Sequence, residues 1–236
     1  MVLRRVQDLL RPALIDRVPR DHLESDSAFR RRRVVAAITL LIGTVVLGIS
    51  LSVKPGDSAF YPLTILLAAV WVVGGFASGP LHLGRIAVRG QLRRPVLTPI
   101  AIGLAAVAVF VVGALVVREI KPLADYTQSV LDHARKGSIP LLILITAGNG
   151  VTEEVFFRGA LYAAVGVRHP VVITTVVYAI ATLASGNPML VFAALTVGAV
   201  LALQRRASGG LLAPILTHVT WSVSMLLLLP PIFGAR

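Results

Sequence analysis

The sequence predicts an all-α, polytopic membrane protein with about seven transmembrane helices. Three observations carry this. First, 56% of the 236 residues are hydrophobic and the mean hydropathy is +0.83, beyond the usual range of soluble domains. Second, the apolar residues gather into runs without any charge, such as 34–53 and 95–117. A run of about 18 or more such residues matches the roughly 30 Å hydrocarbon core at 1.5 Å per residue. Third, the basic residues flank those runs, as the positive-inside rule describes.

Residues 1–33 form a polar tail containing nine Arg and five Asp or Glu. Leu3, Val6, Leu9, Leu10 and Leu14 recur at helical spacing, which predicts a short amphipathic helix on the membrane surface. The tail ends in Arg30, Arg31, Arg32 and Arg33, a cytoplasmic anchor against the first span. The 33 mostly polar residues before the first apolar run argue against a cleavable signal peptide.

Spans are expected at about 34–53, 60–78, 96–117, 139–162, 170–184, 189–203 and 211–229. The loop 79–95 carries Arg85, Arg89, Arg93 and Arg94 with no acid, and so belongs inside. The mixed-charge segment 118–138 belongs outside. Arg168 with His169, and Arg205 with Arg206, mark two further inside turns. The fifth and sixth spans are short, near 15 residues each, and suit a protein-lined cavity. The chain therefore divides into the tail 1–33, three helices and an outer segment over 34–138, and a four-helix unit over 139–236.

The net charge of +12 does not point to nucleic acid, because the basic residues sit at span ends and form no single face. With no cysteine, disulfides, thiolate ligands and a cysteine nucleophile are excluded. Arginine outnumbers lysine 20 to 3 amid abundant Ala, Val and Gly. That usage fits a GC-rich bacterial genome, and so a bacterial inner membrane with the N-terminus cytoplasmic.

The charges inside the spans carry the functional information. Glu153 and Glu154 are adjacent carboxylates in an apolar helix, where one charge costs roughly 2.5–3.5 kcal/mol on insertion scales. Glu154 and Arg158 are four apart and can pair. Glu153 points about 100° away and is left for another task, such as general base. Gly148 and Gly150 would let a neighbouring helix approach. Counted by rise per residue, Glu153 lies roughly 10 Å and His218 about 12 Å from the inner edge. The two reach one depth from opposite directions, and can share a water or a metal ion. Ser222 lies on the same face as His218.

Plainer readings exist: Glu154–Arg158 as a structural ion pair, His218 as a helix-packing residue. His22, His82, His133 and His169 lie in polar segments and need no role. Ser185 suits a serine nucleophile in type, but stands at the outer turn, about 10 Å from His218 in depth.

Glu153-Glu154-x-x-x-Arg158, followed by Gly159-Ala160-Leu161, resembles the first motif of the CPBP family. This family contains the CAAX proteases and bacteriocin-processing enzymes, also called the abortive-infection family of intramembrane metalloproteases. Gly209-Gly210-x-x-Ala213-Pro214-x-x-x-His218 is similar to its last motif, and the resemblance covers about 139–229. It implies a four-helix catalytic core opening toward the cytosol. Glu153 would activate the hydrolytic water, with Glu154, Arg158 and His218 as the other site residues. A divalent metal, zinc above others, would be held by Glu153 and His218.

Two positions depart from the family pattern. Thr182 stands where the middle motif has histidine (Tyr178-Ala179-Ile180-Ala181-Thr182), and Ser222 where the last motif has asparagine. Hydroxyls are poorer zinc ligands than imidazole, and a tight site needs three protein ligands; Glu154 is a candidate third. Three functions follow: an intramembrane endopeptidase acting on a peptide or membrane-protein substrate, a catalytically impaired scaffold or regulator of the same fold, and a proton-coupled transporter relaying through Glu153, Glu154 and His218.

Overall fold

A computed structural model of the chain describes residues 7, 10–19, 22–88, 90–136 and 138–234. Eight helices of eight residues or more account for most of it: α1 (Asp26–Ser52), α2 (Phe60–Ala77), α3 (Leu97–Val117), α4 (Lys121–Arg135), α5 (Ile139–Val165), α6 (Pro170–Ser185), α7 (Pro188–Ser208) and α8 (Leu212–Gly234). Six of these, all but α4 and α6, are long and apolar enough to cross a membrane. The shorter apolar α6 ends in a 3-10 turn, Leu183–Ser185. The all-α polytopic expectation holds, with one small addition. A hairpin, β1 (Ile86–Val88) and β2 (Gln91–Arg93), pairs antiparallel within the loop between α2 and α3.

The outward faces of the spans are apolar. Leu41, Val109 and Leu144 are each about 70% exposed within their spans, an arrangement that lipid stabilises and water does not. Inward, Ala36 of α1 and Leu67 and Trp71 of α2 pack on Phe156, Phe157 and Ala160 of α5. The amphipathic α4 joins Ala124 and Leu131 to Ala114 of α3 and Phe233 of α8, so it lies across the span ends farthest from the tail.

Two element boundaries differ from expectation for a local reason. The first helix starts eight residues early, at Asp26, because Ser25 Oγ accepts from the Ala28 amide (3.3 Å) and Asp26 favours the helix N-terminus. The four arginines are therefore helical, and two are structural. Arg32, 1% exposed, binds both carboxylate oxygens of Glu24 and donates to Ser78 Oγ (3.1 Å). Arg33 donates to the Ala164 carbonyl (3.0 Å). At the sixth span, α7 runs to Ser208, five residues beyond expectation. Arg205 and Arg206 suit its last turn, and Gly209, at φ 69°, closes it in the left-handed conformation.

In the tail, Leu3, Val6 and Leu9 lie outside the described residues. Leu10 and Leu14 belong to a π-helical turn, Arg11–Ile15, and its flank. That turn packs against α7, with the Leu14 carbonyl accepting from Arg206 (3.3 Å) and the Val18 amide donating to the Ala207 carbonyl (3.2 Å). The described tail is thus docked on protein instead of lying free on the bilayer.

Candidate active site

The site is built on α5, where the helix changes character. After Glu154 the chain becomes π-helical from Val155 to Leu161, a rare form that recurs at functional sites. The whole π segment is buried. The Arg205 guanidinium crosses from α7 and donates through Nε to the Arg158 carbonyl (2.6 Å).

Glu154 and Arg158 are both fully buried and joined at 3.0 Å, as their spacing predicted. The guanidinium also donates to the Gly198 carbonyl (2.9 Å) and sits over the Tyr178 ring, 4.8 Å from its centroid. Gly198 makes that space: an added Cβ would come within 3.1 Å of both the guanidinium and the Tyr178 ring. A bare backbone is required where an arginine must reach a carbonyl across two helices.

His218 meets the other acid of the pair from the one it was expected to face. Its Nδ1 donates to Glu154 Oε1 at 2.9 Å, the same oxygen that takes Arg158. Glu153 turns the other way, and its Oε2 accepts from the Tyr178 hydroxyl at 2.6 Å. The reason is helical: side chains one residue apart diverge by about 100°, so only one of the two acids can face α8. Gly150 faces α8 next to His218 and Ser222, whereas Gly148 meets nothing within 4 Å. Of the two glycines expected to admit a neighbour, Gly150 alone does so.

A cavity of about 310 Å³ joins these groups. Glu153, Tyr178, Thr182, His218, Trp221 and Ser222 all border it. Glu153 is half-buried, while His218 is only 6% exposed. Tyr178 is the site residue that the sequence reading left without a role. Its available signal was a hydroxyl-bearing aromatic in an apolar helix, four residues before Thr182. Ser185 ends the 3-10 turn with its hydroxyl donating to the Thr182 carbonyl (2.6 Å).

Four polar atoms at the site are buried with no hydrogen-bond partner among the described residues: Asn149 Oδ1, Glu154 Oε2, Arg158 Nε and Trp221 Nε1. Such groups cost roughly 1–3 kcal/mol each when left unpaired. The residues bearing two of them, Asn149 and Trp221, border the cavity, which favours a ligand with its own donors and acceptors.

The donor set fits a resident metal poorly. Among the described residues no group of three or more His, Cys, Asp or Glu side chains is placed to hold one. Glu154 Oε1 is taken by Arg158 and His218. The Thr182 hydroxyl donates to its own helix, at the Tyr178 carbonyl (2.8 Å).

Residues 135–224 match the family model described as type II CAAX prenyl endopeptidase, Rce1-like. The match spans α5 to α7 and the first half of α8, and it bears out the resemblance drawn from the two motifs. Comparison with curated proteins and with solved structures finds no match.

Proposed function

We propose, from the Rce1-like match over residues 135–224, that this chain is an intramembrane endopeptidase that hydrolyses a peptide bond of a membrane-associated substrate. The observation that carries the reading is the shared border of one cavity by Glu153 and His218, each held by a different partner. Glu153, half-buried and anchored by the Tyr178 hydroxyl, takes a proton from the attacking water. His218 is oriented by Glu154 through Nδ1; with Nε2 protonated it donates to the oxyanion of the scissile carbonyl, and Glu153 passes the water's proton to the leaving amine as the C–N bond breaks. Arg158 supplies the countercharge to Glu154 in that role. Bacterial origin and a cytoplasmic N-terminus go with this reading, on arginine usage and loop charge.

The step runs without a metal in this reading, because the donors are too few and partly spent. The position of Thr182 favours one second reading, a scaffold of the same fold that binds such segments without cutting them. Cleavage of a peptide library by protein reconstituted in liposomes separates the two. Loss of cleavage on Glu153→Ala and on His218→Ala is expected. Full cleavage by Glu153→Ala overturns the peptidase reading.

A further inference from the structure

The cavity runs to one end of the bundle, and it is the end away from the tail. On α2 its wall is Phe60, Thr64, Leu67 and Trp71, one continuous face from the first residue of the helix to a depth of about 16 Å. Leu51 at the far end of α1, Val130 of α4 and Leu190 in the first turn of α7 complete that mouth. The innermost wall residues are Trp71, Phe157, Leu201 and His218. Below them nothing lines it.

The tail-side end is closed by successive layers. Phe156, Arg158 and Gln204 are fully buried beneath the cavity floor. Under them the 79–95 loop is laced to the α7–α8 turn. The Arg85 amide donates to the Ser208 carbonyl (2.9 Å), the Leu211 amide to the His82 carbonyl (2.9 Å) and the Leu212 amide to the Leu83 carbonyl (3.0 Å). Backbone meets backbone there so closely that a Cβ on Gly84 would lie 2.6 Å from the Gly210 amide nitrogen. The tail then docks on α7 outside that lacing.

We infer that the site is loaded from the end that carries the 53–59 loop and α4, and that its occupant is an apolar, uncharged peptide segment. That this occupant is a substrate rests on the peptidase reading; the route does not. The resemblance implies a core open toward the cytosol. With the tail cytoplasmic, the cavity opens on the opposite side. The occupant's chemistry follows from the wall, which is apolar apart from hydroxyl and amide groups until Glu153 and His218 at its depth. Unpaired Asn149 Oδ1 and Trp221 Nε1 match the amide N–H and carbonyl of a peptide backbone.

The chain has no cysteine, so single cysteines report access directly. Thr146→Cys and Ser222→Cys place a thiol on the cavity wall. Ser27→Cys and Ser58→Cys, at exposed positions on the tail side and the opposite side, mark sidedness. Each is treated with a small membrane-impermeant methanethiosulfonate in right-side-out and in inverted membrane vesicles. The cavity thiols are expected to label in the vesicles that label Ser58→Cys, and to lose labelling in those that label Ser27→Cys. An uncharged polyleucine-type peptide is expected to slow that labelling, and a polylysine peptide to leave it unchanged. Labelling in step with Ser27→Cys, from both faces or from neither, overturns the route; absence of protection by the apolar peptide overturns the occupant. Labelling needs no hydrolysis, so the peptidase reading fails or survives separately.

Discussion

His218 Nδ1 and Arg158 Nη1 converge on a single atom, Glu154 Oε1, at 2.9 and 3.0 Å. One buried carboxylate thus ties the last helix of the bundle to the π-helical turn of α5. Removing the guanidinium leaves that charge without its cation. Breaking a buried pair in this way costs roughly 3–5 kcal/mol. Arg158→Met is expected to lower the melting temperature in detergent sharply, and to do so more than Glu154→Gln combined with Arg158→Met.

Tyr178 is expected to act as a positioning residue for Glu153. Tyr178→Phe keeps the ring under Arg158 and against Phe157, 4.5 Å between centroids, and removes the hydroxyl from the carboxylate. A hydrogen bond to a charged group is worth about 1.5–3 kcal/mol, so cleavage is expected to fall roughly tenfold or more. Thermal stability should change little by comparison. Wild-type turnover in this variant would remove Tyr178 from the chemistry.

Gly198→Ala tests the reach of Arg158 across the bundle. The added methyl would meet the guanidinium and the Tyr178 ring at 3.1 Å. Overpacking of this kind costs roughly 1–3 kcal/mol, read as a lower unfolding midpoint. Gly148→Ala, with nothing within 4 Å of the new carbon, is the matched control and should be neutral.

The tail-side face gives the protein a pH dependence of known sign. Its hydrogen bond to Arg32 holds the Glu24 carboxyl below the usual range. That contribution is present above the unfolded value of about 4.3 and is lost as pH falls through the folded one. Burial, then the Arg205 and Arg32 charges, lower the His82 pKa. The unfolded chain takes up that proton first, from about pH 6.5 downward, so stability falls there too. Melting temperature should decline in two stages on acidification. His82→Gln removes the upper stage and Glu24→Gln the lower. His22, stacked on His82 at 3.8 Å between ring centroids, belongs to the same face.

Chelation tests the donor set. If Glu153 and His218 hydrolyse without a metal, treatment with EDTA followed by removal of the chelator should leave the cleavage rate unchanged. Loss of activity restored by zinc would require donors that the described residues do not bring together.

Much of this architecture could be read from the chain before any coordinates. Uncharged runs long enough for a bilayer placed the spans within a few residues, because nothing else in water or lipid accommodates twenty apolar residues in a row. The Glu154–Arg158 pair followed from helical spacing, and the cost of burying charge marked α5 and α8 as the elements that matter. Helix ends were less legible: capping by Ser25 and the arginines of α7 extended two helices past their apolar limits.

Other features belong to the packed bundle alone. One-dimensional depth put Glu153 and His218 at the same level, yet rotation about the helix axis decided that His218 meets Glu154. The π turn, the Tyr178 hydroxyl on Glu153 and the gap left by Gly198 depend on helices far apart in the chain. The direction of the cavity depends on which end the loops seal, a matter of backbone-to-backbone contacts such as Gly84 against Gly210. Composition and period report what each helix buries; only the assembled helices determine which side chains then face one another.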